Sequence, residues 1–374
     1  MANKLGLIVN PFAGMGGRVG LKGSDGAETL QKAIALGARP EAPRRAVDAL
    51  RMLRDLKDSL EIVTYPHEMG ENEAREAGFT PRVAGSIDEG HTTAADTMRA
   101  AQDLMRLGVG LLLFVGGDGT ARNVHDAVGD RVPALGVPAG VKIHSAVYAT
   151  TPRAAGDLAN LVLHGRVTEF HDAEVMDIDE DAFRAGRVSS RLYGYLRVPA
   201  DTTHVQNMKS GRAAGDEAAL AAIAEHVVEA MENFPEDLFI IGPGTTTRSI
   251  MDRLGLRGTL LGVDLVEGHR LVGSDVGERE LLERTAGRRC HVVVTVIGGQ
   301  GYIFGRGNQQ ISPRVLDQVG LDMLMVVATR QKIASLRGGP LLVDTGDAEM
   351  DRRISGYTRV ITGFHDEIVY RVEA

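Results

Sequence analysis

Five consecutive residues, Gly116-Gly117-Asp118-Gly119-Thr120, carry the sharpest chemical signal in the chain. Glycines let phosphate oxygens come up to backbone amides, and a helix starting at such a loop adds partial positive charge. A carboxylate there repels an anion, so Asp118 needs a reason to be present. Deprotonating a hydroxyl is one reason and holding Mg2+ is another. The same residues also read as a tight turn in which Asp118 caps a helix.

A second candidate is Gly242-Pro243-Gly244-Thr245-Thr246-Thr247-Arg248. Its strand ends in Gly-Pro-Gly and runs into a helix opened by three threonines, which offers free amides and hydroxyls. Arg248 could add a charge-assisted fork to a phosphate; a threonine-capped helix without a ligand is the plain alternative. Lys142 and His144, after Pro138-Ala139-Gly140, could meet a phosphate or sit in a solvated loop. Arg306 and Asn308 lie just before Ser312-Pro313, a helix start. Asp344-Thr345-Gly346-Asp347 reads as an Asp-rich turn rather than a metal loop. The histidines show no ligand spacing, which leaves the metal side unassigned.

Several chemistries are excluded. There is no G-x-x-x-x-G-K-[ST], no H-E-x-x-H and no G-x-S-x-G. Gly14, Gly16 and Gly20 are spaced G-x-G-x-x-x-G, as are Gly299, Gly301 and Gly305, so the dinucleotide fingerprint is missing. Cys290 is the single cysteine, which rules out an internal disulfide and suits a reducing compartment. The formal net charge is −8 without a basic block, so no nucleic-acid footprint exists. The apolar run at residues 5–9 is too short for a signal peptide or a membrane span. We therefore expect a cytoplasmic protein.

These candidates need elements to hold them. At 374 residues two domains are the default. Residues 5–9 read as a buried strand, 42–56 as a helical stretch and 60–65 as a strand. Thr93 with Asp96 begins a helix striped by Met98, Ala101, Leu104 and Met105 and stopped at Gly108. Residues 109–115 form an apolar strand that lands on the glycine loop. A helix over 121–128, a strand over 132–137 and a helix from Thr151-Pro152 to about Gly165 complete an alternation typical of a parallel sheet covered on both faces. Beyond 165 the strands alternate in polarity with no helix between them. A helix at 216–232 and strands at 238–241 and 291–297 follow. Strand–helix alternation returns from Gly320.

Asn10-Pro11 after the first strand, with G-G-D-G-T after a later one, resembles the superfamily of NAD kinases, diacylglycerol kinases and sphingosine kinases. Leu135-Gly136-Val137-Pro138-Ala139-Gly140 is similar to the loop that follows in the lipid kinases. Gly242-Pro243-Gly244-Thr245-Thr246-Thr247 resembles the T-G-S-T-A-Y segment by which NAD kinases hold their dinucleotide. Over its whole length, including Gly305-Arg306-Gly307-Asn308-Gln309-Gln310-Ile311-Ser312-Pro313, the chain is most similar to the ATP-NAD kinase family. Arg122-Asn123 stands where that family has Asn-Glu, and Arg248 or Ser249 stands at its Tyr.

The resemblance implies an α/β fold, with a Rossmann-like N-terminal domain and a second, more β-rich domain. We place the first at 1–165, the acceptor domain at 166–319, and a segment 320–374 packing back on the first domain, with the active site between domains. The implied reaction moves a phosphate from ATP or polyphosphate, with Mg2+, onto a hydroxyl of NAD to give NADP. Asp118 is the implied base. Asn10, Gly116, Gly117, Gly119, Thr120 and Asn123 would bind nucleotide or phosphate. Gly242, Gly244, Thr245, Thr246, Thr247 and Arg248 would bind the acceptor, with Lys142, Arg306 and Asn308 as secondary candidates. A small metabolite or diacylglycerol-like lipid is the alternative acceptor, and a nucleotide-binding sensor without turnover is the alternative class. Expected partners are small nucleotides and a second copy of the chain in a homo-oligomer, with no nucleic acid and no membrane.

Overall fold

A computed structural model describes residues 4–21, 27–140, 143–178, 190–200 and 217–374. The chain divides into two compact units, one of Met1–Met15 and Gly23–Met208, the other of Gly16–Lys22 and Lys209–Ala374.

In the first unit the elements run β1 (Lys4–Val9), α1 (Ala27–Ala35), α2 (Ala42–Leu50), β2 (Glu61–Thr64), α3 (Glu71–Glu76), β3 (Arg82–Val83), α4 (Ala94–Arg106), β4 (Leu111–Gly116), α5 (Asp118–Val128), β5 (Ala134–Pro138), α6 (Pro152–Leu163), β6 (Phe170–Ile178) and β7 (Ser190–Pro199). Five strands make a parallel sheet in the order β3-β2-β1-β4-β5. Every residue of β4 is buried, because crossover helices cover both faces of a parallel sheet. Leu111, Leu113 and Val115 pack with α2 and α6 on one face, while Leu112 and Phe114 pack with α4 and α5 on the other. That alternation is the strand period of two.

The sequence signals for helix ends work as chemistry predicts. Asp96 accepts from the backbone N–H of Thr93 at 2.7 Å, and Gly108 supplies the left-handed turn after α4 with φ 72°. Thr151 accepts from the Ala154 N–H, with Pro152 in the first turn of α6. The stretch expected as one helix over 42–56 tightens to a 3-10 helix at Arg51–Leu56.

The polarity change at 165 marks a hairpin rather than a boundary. β6 and β7 pair antiparallel, and their inward residues Ala173, Val175, Leu196 and Val198 join the core that α4 and α5 share. The division accordingly falls at Met208.

The second unit continues with α7 (Glu217–Asn233), β8 (Leu238–Ile241), α8 (Thr245–Arg253), β9 (Asp264–Glu267), β10 (Arg270–Gly273), α9 (Glu278–Thr285), β11 (Cys290–Thr295), β12 (Tyr302–Phe304), α10 (Pro313–Val319), β13 (Leu324–Val327), α11 (Arg330–Ala334), β14 (Leu341–Val343), α12 (Ala348–Ile354), β15 (Gly356–Gly363) and β16 (Asp366–Glu373). One mixed sheet of nine strands runs β10-β9-β8-β11-β13-β15-β16-β14-β12. The segment 320–374 contributes β13 to β16 to this sheet. Val292 pairs with Leu324 and Val327 with Ile361 in this sheet, so the final segment's backbone bonds are spent within the second unit. Among the described residues no helix is long and apolar enough to cross a membrane.

Candidate functional site

In the first sheet the strand order reverses between β1 and β4, and ligands of open α/β sheets bind beyond the strand ends at such a point. Asn10 follows β1 there and Gly117 follows β4. The Asn10 side chain ties the two together: Nδ2 donates to Thr120 Oγ1 at 3.0 Å, and Oδ1 accepts from Phe12 N–H at 3.2 Å.

The glycine loop is clasped by the loop after β5. The Gly116 carbonyl accepts from the N–H groups of Ala139 at 2.9 Å and Gly140 at 3.0 Å. A Cβ on Gly140 would stand 2.8 Å from Gly117 Cα, and one on Gly117 would stand 3.1 Å from Gly140 Cα. Glycine is required at both positions because two backbones touch. Tyr148 closes the clasp by donating to the Gly117 carbonyl at 2.6 Å. Buried Arg45, on α2, donates to the Pro138 carbonyl at 3.0 Å.

Asp118 is only 8% exposed. It opens α5, three residues before the expected start, so Gly119 and Thr120 lie in the first helical turn. Its carboxylate does not cap that helix. Oδ2 accepts from the His144 N–H at 2.9 Å and Oδ1 from the Ser145 N–H at 3.0 Å. Ser145 is fully buried and its Oγ accepts from Met176 N–H at 2.9 Å. The loop is thereby anchored at one end to Asp118 and at the other to β6. Asn123 lies half-buried one turn beyond Gly119. Lys142 lies outside the described residues.

In the second unit β8 delivers Gly242, and Gly244 has φ 138°. A Cβ there would meet Thr295 Cγ2 at 2.4 Å. α8 begins at Thr245, which is exposed, while Thr246 and Thr247 are buried. The Thr247 hydroxyl donates to the Gly244 carbonyl at 3.1 Å. Lys332, on α11, donates from Nζ to Thr246 Oγ1 at 2.8 Å and Thr295 Oγ1 at 3.2 Å. An ammonium thus stands beside a helix N-terminus whose first amides have no partner within the helix.

Arg248 is turned to other uses. Its Nε donates to Asp252 at 3.0 Å, and its guanidinium also bonds the Gly258 carbonyl. Asn308 pins its own loop, with Nδ2 donating to the Ile303 carbonyl at 2.8 Å and Oδ1 accepting from Gly305 N–H at 3.1 Å. Arg306 is buried 3.6 Å from Asp344, over the Tyr302 ring. Asp347 caps α12 through the Glu349 and Met350 amides. Among the described residues no group of three or more His, Cys, Asp or Glu side chains could hold a metal.

The ATP-NAD kinase N-terminal domain matches residues 5–167, and the ATP-NAD kinase C-terminal domain matches residues 236–372. The chain belongs to the ATP-NAD kinase family. Searches of curated proteins and of solved structures gave no match.

In this ATP-NAD kinase family chain the side chains that hold the Asp118 and Thr246 loops carry little signal in the sequence. Arg45 sits in an arginine-rich amphipathic helix and nothing nearby marks it as buried. Lys332 had one faint signal, a threonine, Thr329, that caps its helix by accepting from the Lys332 N–H at 3.2 Å. His144 is marked in the sequence by its place after Pro138-Ala139-Gly140, while its approach to Asp118 appears only in the fold.

Proposed function

We propose that this protein transfers a phosphate from ATP or polyphosphate to a hydroxyl of NAD, giving NADP. The observation that carries the reading is a buried carboxylate at the first position of a helix behind a glycine loop. A carboxylate repels phosphate, yet it stands at this helix start, held by the His144 and Ser145 amides. In the reaction the acceptor hydroxyl oxygen attacks the terminal phosphorus, a new O–P bond forms and the donor's P–O bond breaks. The hydroxyl proton passes to Asp118 as general base. Amides around Gly117, Gly119 and Thr120 cradle the donor phosphates, whose charge Mg2+ offsets when bound. Most of the acceleration comes from positioning and electrostatics, as in phosphoryl transfer generally.

The α8 group supports the acceptor half. Thr245 and Thr246 contact phosphate or ribose, and Lys332 supplies the cation that Arg248 has committed elsewhere. The test is incubation with ATP or polyphosphate and Mg2+ against NAD, NADH, ADP-ribose, nucleosides and a diacylglycerol. Product is scored by mass spectrometry. NADP formation supports the reading. Product from a non-nucleotide alone replaces NAD with another acceptor, and no product from any acceptor brings forward a nucleotide-binding sensor.

A further inference from the structure

We propose that His144 is a phosphate-contacting residue paired with Asp118, one ring nitrogen facing the carboxylate and the other taking a phosphate oxygen of the bound donor. The inference rests on the reading of the glycine loop as a phosphate site. His144 is 5% exposed, and Nδ1 lies 3.4 Å from Asp118 Oδ2. Among the described residues neither ring nitrogen has a hydrogen-bond partner, although both are buried. Buried polar atoms in native proteins are almost always satisfied, and leaving two unmade on one ring is costly. A ligand that completes them removes that cost.

The backbone keeps the ring from drifting away. The His144 N–H is itself bonded to Asp118 Oδ2, and the neighbouring Ser145 N–H is bonded to Oδ1. Asp118 also begins α5, a helix of 11 residues whose N-terminus favours an anion at the same place. An imidazole with hydrogens on both nitrogens donates in two directions. One ring nitrogen faces the carboxylate and the other meets phosphate, so the ring stands between two negative groups. This answers the problem the sequence posed, how an acid is tolerated in a phosphate loop.

The experiment compares wild-type protein with His144→Ala, His144→Gln and His144→Asn. Inorganic tripolyphosphate and Mg2+-ATP are titrated calorimetrically, and melting is followed for each variant. The glutamine amide reaches roughly where Nε2 stood, and the asparagine amide roughly where Nδ1 stood. His144→Ala should weaken tripolyphosphate binding about 10- to 100-fold, the worth of a charge-assisted hydrogen bond. His144→Gln should recover most of that loss and His144→Asn little of it. With whichever acceptor the wild type phosphorylates, donor KM should rise by more than kcat falls. Unchanged affinity in a folded His144→Ala overturns the proposal, as does equal loss in the glutamine and asparagine variants. If the alanine variant does not fold, the contrast between glutamine and asparagine decides. A wild type that makes no product but binds tripolyphosphate through His144 refutes the kinase reading alone. A wild type that does not bind tripolyphosphate refutes the His144 assignment.

Discussion

Lys332 Nζ donates to Thr246 Oγ1 at 2.8 Å across 86 positions of sequence, and the same ammonium reaches Thr295 Oγ1 at 3.2 Å. Three elements, α8, β11 and α11, thus contribute one side chain each to a single cationic point at a helix N-terminus. No stretch of sequence contains that point.

Replacing the lysine tests its role in acceptor binding. Lys332→Met keeps much of the stem and removes the charge. The KM for NAD should rise about 10- to 100-fold, in line with loss of one charge-assisted hydrogen bond, and Lys332→Arg should recover part of it. Steady-state kinetics with NAD varied at saturating donor decide the point. A KM within about twofold of wild type, far short of one such bond, would exclude Lys332 from the acceptor site.

Asp118→Asn should lower turnover by about 10²–10⁴, the usual worth of a general base. The structure adds a second effect. Both carboxylate oxygens accept backbone amides, and an asparagine can offer only one oxygen. Its NH2 would face an amide N–H, costing about 1–3 kcal/mol of stability. Scanning calorimetry beside the kinetics separates the two. A variant that keeps more than roughly a tenth of wild-type turnover would remove Asp118 from the chemistry, that loss lying well below the general-base range.

Gly117→Val should abolish donor binding, because a β-branched side chain cannot share the 3.1 Å between Gly117 Cβ and Gly140 Cα. Pushing the two loops apart also breaks the bonds from Ala139 and Gly140 to the Gly116 carbonyl. A lower melting temperature should therefore accompany the lost affinity for Mg2+-ATP. Unchanged calorimetric affinity would make the clasp a structural feature only.

Glu73 governs a pH dependence unrelated to catalysis. It is 4% exposed, and among the described residues its Oε2 finds no hydrogen-bond partner. Burial, reinforced by the charges of Glu68 and Glu76, raises its pKa from 4.5 to about 7. The folded state therefore holds a proton that the unfolded chain releases. The associated stability is complete below about 4.5 and is lost as pH rises toward 7, by on the order of 3 kcal/mol at most. Glu73→Gln should flatten this slope and stabilise the protein at pH 8. Urea unfolding at pH 5 and pH 8 measures it, and parallel slopes for variant and wild type would contradict the assignment.

Local structure and the positions of the two glycine loops follow from short-range pattern alone. Apolar runs bounded by glycine, Thr93 with Asp96, and Thr151 before Pro152 are short-range signals, because caps and periodicity depend on residues within a turn or two. The glycine turn before α5 and the helix start after Gly244 were legible for the same reason. Only the tertiary structure decided what these loops touch. The sequence offered Asp118 as base, metal holder or helix cap, and the fold spends its oxygens on the His144 and Ser145 amides instead of its own helix. Arg248 looked like the phosphate fork, yet Asp252 and Gly258 claim it and Lys332 takes the place beside Thr246. The strands from Leu324 onward read the same in sequence whichever sheet they join. Hydrogen-bond pairing between distant strands assigns them to the second, and pairing leaves no mark in a single strand's composition.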